Sequence, residues 1–288
     1  MTGTIDLHLH SQASDGVLAP AAVVAHAVQR GVRVLALTDH DTLAGLEEAS
    51  TAARTLDVAF IRGVELSAGH AGHALHVVGL GLGTGTAIAA LEELIAATAT
   101  LRGARAREIA HRLDHAGAPG AAALELALRG TTLPTRTHFA RALVQLGHAR
   151  EPQQAFDRYL GRGGRAYVPG EWPTLESCIA AVRAAGGVAV LAHPLRYRLS
   201  AGQRRRLVAE FRDCGGEAVE VVSGAGSREQ FEAGVSLALR AGLDGSVGSD
   251  FHDPAIAWNQ PGRLAKLPAT VRPVWRRLGI GADAGAGT

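Results

Sequence analysis

The chain has 288 residues, 47% of them hydrophobic and 19% charged, which is enough apolar material for one large core or two smaller ones and excludes a disordered polymer. All but one of its 29 cationic side chains are arginines, Lys266 being the exception, and the formal net charge is only +2. A lysine-bearing phosphate loop and a strongly basic grip on long nucleic acid are thereby excluded, and Schiff-base chemistry would rest on that one lysine.

Residues 4–9 read as a first strand, entered without a basic segment or an apolar stretch of signal length; the chain is expected to be cytoplasmic and to involve no membrane. A helix over 20–30, opened by Pro20, precedes a second strand at 33–38. A helix over 42–55 precedes a third strand at 58–61, and a turn leads to a fourth at 74–80. Residues 84–165 are rich in Ala, Leu and Arg with helical spacing, broken at 117–120 and near 130–134. Alternation then resumes, with helices at 174–185, 203–212 and 227–241 and strands at 187–192, 217–222 and 243–247. The strands are rich in Val, Ile and Leu, as in a parallel sheet covered on both faces, and a seven-unit β/α barrel is the simplest closure. The expected organisation is α/β: residues 1–83 and 166–288 build the barrel, and 84–165 form a helical insertion subdomain covering the active site. The Gly/Ala-rich end, 279–288, is expected to fray, and the run Arg204-Arg205-Arg206 to be a solvated helix face.

Thirteen histidines stand against two cysteines, a balance that favours nitrogen and oxygen ligation of a metal over thiolate. Cys178 and Cys214 show no paired spacing and read as buried small residues in a reducing compartment. His8-Leu9-His10 closes the first strand, where alternation puts both imidazoles on one face at the end where barrels build their sites. Two polar residues on a half-exposed edge would look the same. The pattern recurs, however, with Asp39-His40-Asp41 after the second strand, Glu65 after the third, His76 within the fourth, His193 after the fifth and Asp250-Phe251-His252 after the seventh. A shared metal centre accounts for this better than separate accidents. Asp39 and Asp41 would orient the His40 imidazole, with a helix N-cap an equal reading for Asp41.

The ordered motifs HLH, SDG, TDHD, GVE, HVVGL, AHP and GSDFH resemble the PHP superfamily (polymerase and histidinol phosphatase domains) over nearly the whole chain. RTHFARALV, YLGRGGRAYVP and RPVWRRL are similar to its branch of bacterial 3′,5′-nucleoside bisphosphate phosphatases, whose relatives include a 5′-to-3′ exoribonuclease, RNase AM. The resemblance implies a distorted (β/α)7 barrel with three divalent metals, most often Mn, with Fe or Zn as alternatives. His8, His10, Glu65 and Asp250 would hold the first, with Glu65 bridging to a second on His76 and His193. Asp15, His40 and His252 would hold the third. Asp15, His40, Glu65, Asp250 and His252 would carry catalysis, a metal-bridging hydroxide attacking phosphorus in line. Arg102, Arg136, Thr137 and His138 in the insertion would hold the retained phosphate, ordinary surface arginines being the alternative, and Ser223 would bond the substrate. The implied activity is conversion of pAp to AMP and phosphate, with trimming of short 5′-phosphorylated RNA as the alternative and no protein partner. His26, His70, His73, His111, His115 and His148 are left as background.

Overall fold

The computed structural model of the protein describes residues 4–281, so most of the segment expected to fray lies outside the described residues. The chain forms two compact units, one made of residues up to Leu94 and from Pro173 on, the other of Ile95–Trp172.

In the first unit seven strands lie side by side in chain order: β1 (Thr4–Asp6), β2 (Val32–Leu37), β3 (Ala59–His70), β4 (His73–Leu80), β5 (Val188–Leu191), β6 (Ala218–Ser223) and β7 (Asp244–Gly248). The extended stretches beyond β1 and β7 then bond to each other, Leu7 N–H to the Val247 carbonyl at 3.0 Å and His10 N–H to the Phe251 carbonyl at 2.9 Å. This nearly closes the barrel. The sheet is not all parallel, as the composition of the strands suggested. β4 runs antiparallel to both β3 and β5, because β3 and β4 are joined by the two residues Ala71 and Gly72 at φ 47° and 75°. A two-residue turn with both φ values positive is the tight hairpin link, which can only reverse the chain. The hairpin also extends β3 well past residue 61, so Glu65 lies within the strand rather than after it.

The covering helices begin where their caps stand. α1 (Pro20–Gln29) has Pro at its first turn, and α2 (Leu46–Thr55) follows Gly45 with no side-chain cap, so Asp41 is not an N-cap. In the helical unit, α3 (Ala89–His115), which starts in the first unit, is followed by α4 (Gly120–Ala127), α5 (Arg136–Gln145), the short α6 (Pro152–Ala155) and a π turn at Phe156–Leu160. Leu113, Phe139, Leu143 and Leu160 form that unit's own buried core. The unit starts later than residue 84, since the 3₁₀ turn Gly85–Ile88 packs on α7 (Leu175–Ala184) of the barrel. α8 (Ala201–Asp213) and α9 (Arg228–Ala241) open with reciprocal boxes, Ser200 with Gln203 and Ser227 with Gln230. Arg204, expected on a solvated face, instead donates to the Pro194 and Leu199 carbonyls. Leu9, Val24, Leu35, Leu37, Leu46 and Phe251 fill the core between the strands and α1 and α2. Past β7, Arg272 and Arg277 both bond the buried Asp244 carboxylate and tie the final segment to the barrel.

Among the described residues no helix is long and apolar enough to cross a membrane. Cys178 is buried as expected, but Cys214, at the end of α8, is exposed. Burial pushes the Cys178 thiol up to about 12, which suppresses the reactive thiolate. Iodoacetamide at pH 8 should therefore alkylate Cys214 alone in the native protein and both cysteines after denaturation, as read by peptide mass spectrometry. Alkylation of Cys178 without unfolding would contradict this packing.

Candidate metal centre

Strand ends, the β3–β4 hairpin and the loop carrying Asp15 deliver the nine candidate ligands to one place. Glu65, fully buried on β3, is the hub. Its Oε2 lies 3.1 Å from His8 Nε2, 3.2 Å from His10 Nε2 and 3.0 Å from His40 Nδ1. Its Oε1 lies 2.9 Å from His76 Nδ1 on β4 and 3.0 Å from His193 Nε2, just beyond β5. Asp250 Oδ1 stands 3.2 Å from His10 Nε2, and Asp15 Oδ1 stands 3.2 Å from His252 Nε2. Three sets of donor atoms result, each with its members within 4.8 Å of one another: His8, His10, Glu65 and Asp250; His40, Glu65 and His76; and His10, Asp15, His40 and His252. His10 and His40 thus sit between sets rather than in one apiece.

The donors suit divalent cations. Although His8 Nε2, His10 Nε2, His40 Nδ1 and Glu65 Oε2 are buried and close together, none has a hydrogen-bond partner. Buried polar atoms without partners are costly, and lone pairs converging on shared points are what a cation satisfies. Imidazole with carboxylate suits Mn, Fe or Zn. Burial opposes charge on His8, His10, Asp15, His40, Glu65 and Asp250, yet the neighbours prevail at all of these but His40. His252 and His40 hold Asp15 well below the usual carboxylate range, and the surrounding imidazoles do the same for Glu65 and Asp250. At His8 burial is overcome by Glu65, Glu220 and Asp250, which raise its pKa well above the ordinary value. At His40 burial wins, and its pKa falls.

A second layer of bonds holds the ligands. Glu220 on β6 accepts His8 Nδ1–H at 3.0 Å and the His193 backbone N–H at 2.7 Å, which fixes the His8 tautomer and turns Nε2 to the cluster. Asp39 does not orient His40. It accepts from Ser11 N–H, Ser11 Oγ and Ser14 Oγ at 2.6–2.7 Å and so pins the loop that carries Asp15. Asp41 accepts from the Ser67 N–H and hydroxyl at 2.7 and 2.9 Å. Asp6 accepts Ser249 N–H at 2.9 Å, and burial pushes its carboxyl up to about 7. Arg196 bonds Asp250 Oδ2, and the Tyr197 hydroxyl accepts His76 N–H at 2.9 Å. Asp41, His193 and Asp250 hold φ at 48°, 30° and 55°, a backbone strain that the surrounding bonds sustain. Glu220, Arg196 and Tyr197 had escaped the sequence reading; a lone carboxylate in the run AVEVVS was the signal for Glu220.

The remaining candidates are Ser223 in the barrel and four residues of the helical unit. Ser223 ends β6, and its buried Oγ has no partner. Within the helical unit, Arg102 lies 5.1 Å and Arg105 5.4 Å over the Trp172 ring. Burial, with Arg136 and Arg102 as neighbours, lowers the Arg105 guanidinium to about 9. Arg102, which is buried, and the half-buried Arg136 are thus members of a cationic cluster, joined by Arg105, and not loose surface arginines. Thr137 N–H bonds Thr135 Oγ1, and His138 Nδ1 accepts Thr135 N–H in the box that opens α5.

A barrel whose strand ends gather buried imidazoles around a shared carboxylate defines a metal-dependent hydrolase, and similarity to known proteins narrows the class. Residues 6–126 match the PHP domain model. The chain is 41% identical to a 5′-3′ exoribonuclease of Haemophilus influenzae, over 96% of this chain and the whole of that protein. It is 39% identical to a 3′,5′-nucleoside bisphosphate phosphatase of Chromobacterium violaceum, over 95% and 96%. A solved structure from Chromobacterium violaceum, described as an amidohydrolase with bound sulfate and no metal, superimposes with a TM-score of 0.89 at 38% identity, over 96% of each chain. The chain belongs to the PHP family and is a metal-dependent phosphoesterase.

Glu220→Ala should lower affinity for Mn by about 10- to 100-fold while leaving the far-ultraviolet circular dichroism unchanged. Wild-type metal affinity in a folded variant would show that the two bonds from Glu220 do not position the ligands.

Proposed function

We propose that the protein removes the 3′-phosphate from nucleoside 3′,5′-bisphosphates such as pAp. Three divalent ions, Mn foremost, would be held by the nine clustered side chains: one by His8, His10, Glu65 and Asp250, a second by Glu65, His76 and His193, and a third by Asp15, His40 and His252. The observation that carries this reading is Glu65, whose two oxygens each face imidazoles from different strands. Similarity to the Chromobacterium phosphatase supports the substrate.

Cations at these positions would neutralise phosphoryl oxygens and lower the pKa of water. The side chains do the rest. His8 gives its Nδ1–H to Glu220 and His252 gives its own to the Asp250 carbonyl at 2.9 Å, so both keep an Nε2 lone pair for ligation. Arg196 occupies Asp250 Oδ2 and leaves Oδ1 turned to His8 and His10. Water adds to phosphorus, the P–O3′ bond breaks, and O3′ leaves with a proton. No serine, cysteine or lysine is needed as nucleophile. The guanidinium cluster of Arg102, Arg105 and Arg136 is assigned to the retained 5′-phosphate, for which planar bidentate donors are suited.

Mn-loaded protein given pAp should release AMP and phosphate in equal amounts. Asp250→Asn should lower kcat/KM at least about a hundredfold and reduce bound metal, measured by phosphate release and elemental analysis. Release of adenosine 3′-phosphate instead, or full activity of Asp250→Asn, would contradict the reading.

A further inference from the structure

A cavity of about 400 Å³ shares the His193 and Arg196 side of the metal centre, and the proposed chemistry on pAp does not use it. Its walls are the turn Ser223–Gly226, Arg196, Trp258 and Arg263. Trp258 is 53% exposed, unusual for so large an apolar ring. One side of it takes the Arg196 guanidinium at 5.1 Å. The backbone that carries the ring is anchored on both sides. Ala225 N–H bonds the Trp258 carbonyl at 2.8 Å, and the neighbouring buried Asn259 gives its Nδ2–H to the Asp250 carbonyl at 2.8 Å. At Gly224, φ is 63° and a Cβ would stand 3.3 Å from Arg196 and 3.4 Å from Trp258, so the close approach of turn, guanidinium and indole depends on glycine there. Ser223 Oγ, on the same wall, is buried without a partner. The one carboxylate on the wall, Glu220, is taken up by His8 and the His193 backbone.

An exposed indole on an anchored backbone, beside two guanidiniums and an unpaired hydroxyl, is the equipment of a nucleotide subsite: a π face for a base, cations for a phosphodiester, and a partner for a ribose hydroxyl. Resting on the proposed action at a 3′-phosphoryl group, we propose that this cavity binds the next ribonucleotide, the one esterified to the scissile phosphate. The Trp258 face would stack its base, and Arg196 and Arg263 would hold its backbone. The reaction balances as it does for pAp. Water adds to phosphorus, the P–O3′ bond breaks, O3′ leaves on the first nucleotide with one proton, and the shortened RNA keeps the phosphate at its new 5′ end. What the cavity adds to that reaction is a place for the downstream nucleotide, with Trp258 and Arg263 as the residues that favour RNA over a mononucleotide.

Wild type, Trp258→Ala and Trp258→Phe are each given pAp and a 5′-phosphorylated RNA decamer, and affinity for a labelled phosphorothioate decamer is read by fluorescence anisotropy. The ratio of kcat/KM on the decamer to kcat/KM on pAp should fall about tenfold in Trp258→Ala, with a similar rise in Kd, and recover in Trp258→Phe. Arg263→Ala, at an exposed position, gives the same comparison should Trp258→Ala not fold. An unchanged ratio and Kd would overturn the subsite, as would a wild type that neither binds nor cleaves the decamer. Normal cleavage of the decamer with no turnover of pAp would instead overturn the proposed function and leave the subsite standing.

Discussion

A fully buried, ionised carboxylate is among the most expensive groups a protein can enclose, and Glu65 is one. Its burial is tolerable only because five imidazoles reach its two oxygens from β4 and from the loops beyond β1, β2 and β5. Those imidazoles then need orientation of their own. Glu220 supplies it for His8 and His193, Asp39 ties down the loop around Asp15, Asp41 joins the loop beyond β2 to Ser67 on β3, and Asp6 holds the turn leading into Asp250. The acidic residues behind the ligands form a scaffold that determines where the lone pairs point.

The barrel's geometry makes this convergence available. Parallel strands bring their C-terminal ends to one rim, and the β3–β4 hairpin adds something a regular β/α unit would not provide. By turning back within two residues, it places His76 on an antiparallel strand directly opposite Ser67 and near Glu65. A helix between those strands would have separated the two ligands. His193 and Asp250 hold their positive φ two residues beyond the ends of β5 and β7, where the chain leaves the strand.

Strand ends were the legible part of the sequence. His8 and His10, or Asp250 and His252, stand two residues apart at the close of an apolar run, and alternation alone puts each pair on one face. All seven strands were visible for the same reason. The direction of β4 was not, because a Val- and Leu-rich run carries no sign of its orientation; only the shortness of Ala71-Gly72 does. Glu220 was hidden as a single charge in a valine-rich strand, and Cys214 was misplaced because it caps α8 beyond the helical run, where neither cysteine spacing nor a periodic face determines burial. Arg196, Tyr197 and Trp258 stand in irregular segments whose partners are set by tertiary folding. Arg105 differs from the other arginines of α3 only in what surrounds it.

The most direct test of Glu65 as the shared ligand is anomalous diffraction from Mn-soaked crystals of the protein. Manganese peaks on both sides of the carboxylate, one bonded to each oxygen, with the first also touching His8, His10 and Asp250, are the predicted result. Manganese bound without Glu65, or to only one of its oxygens, would contradict it.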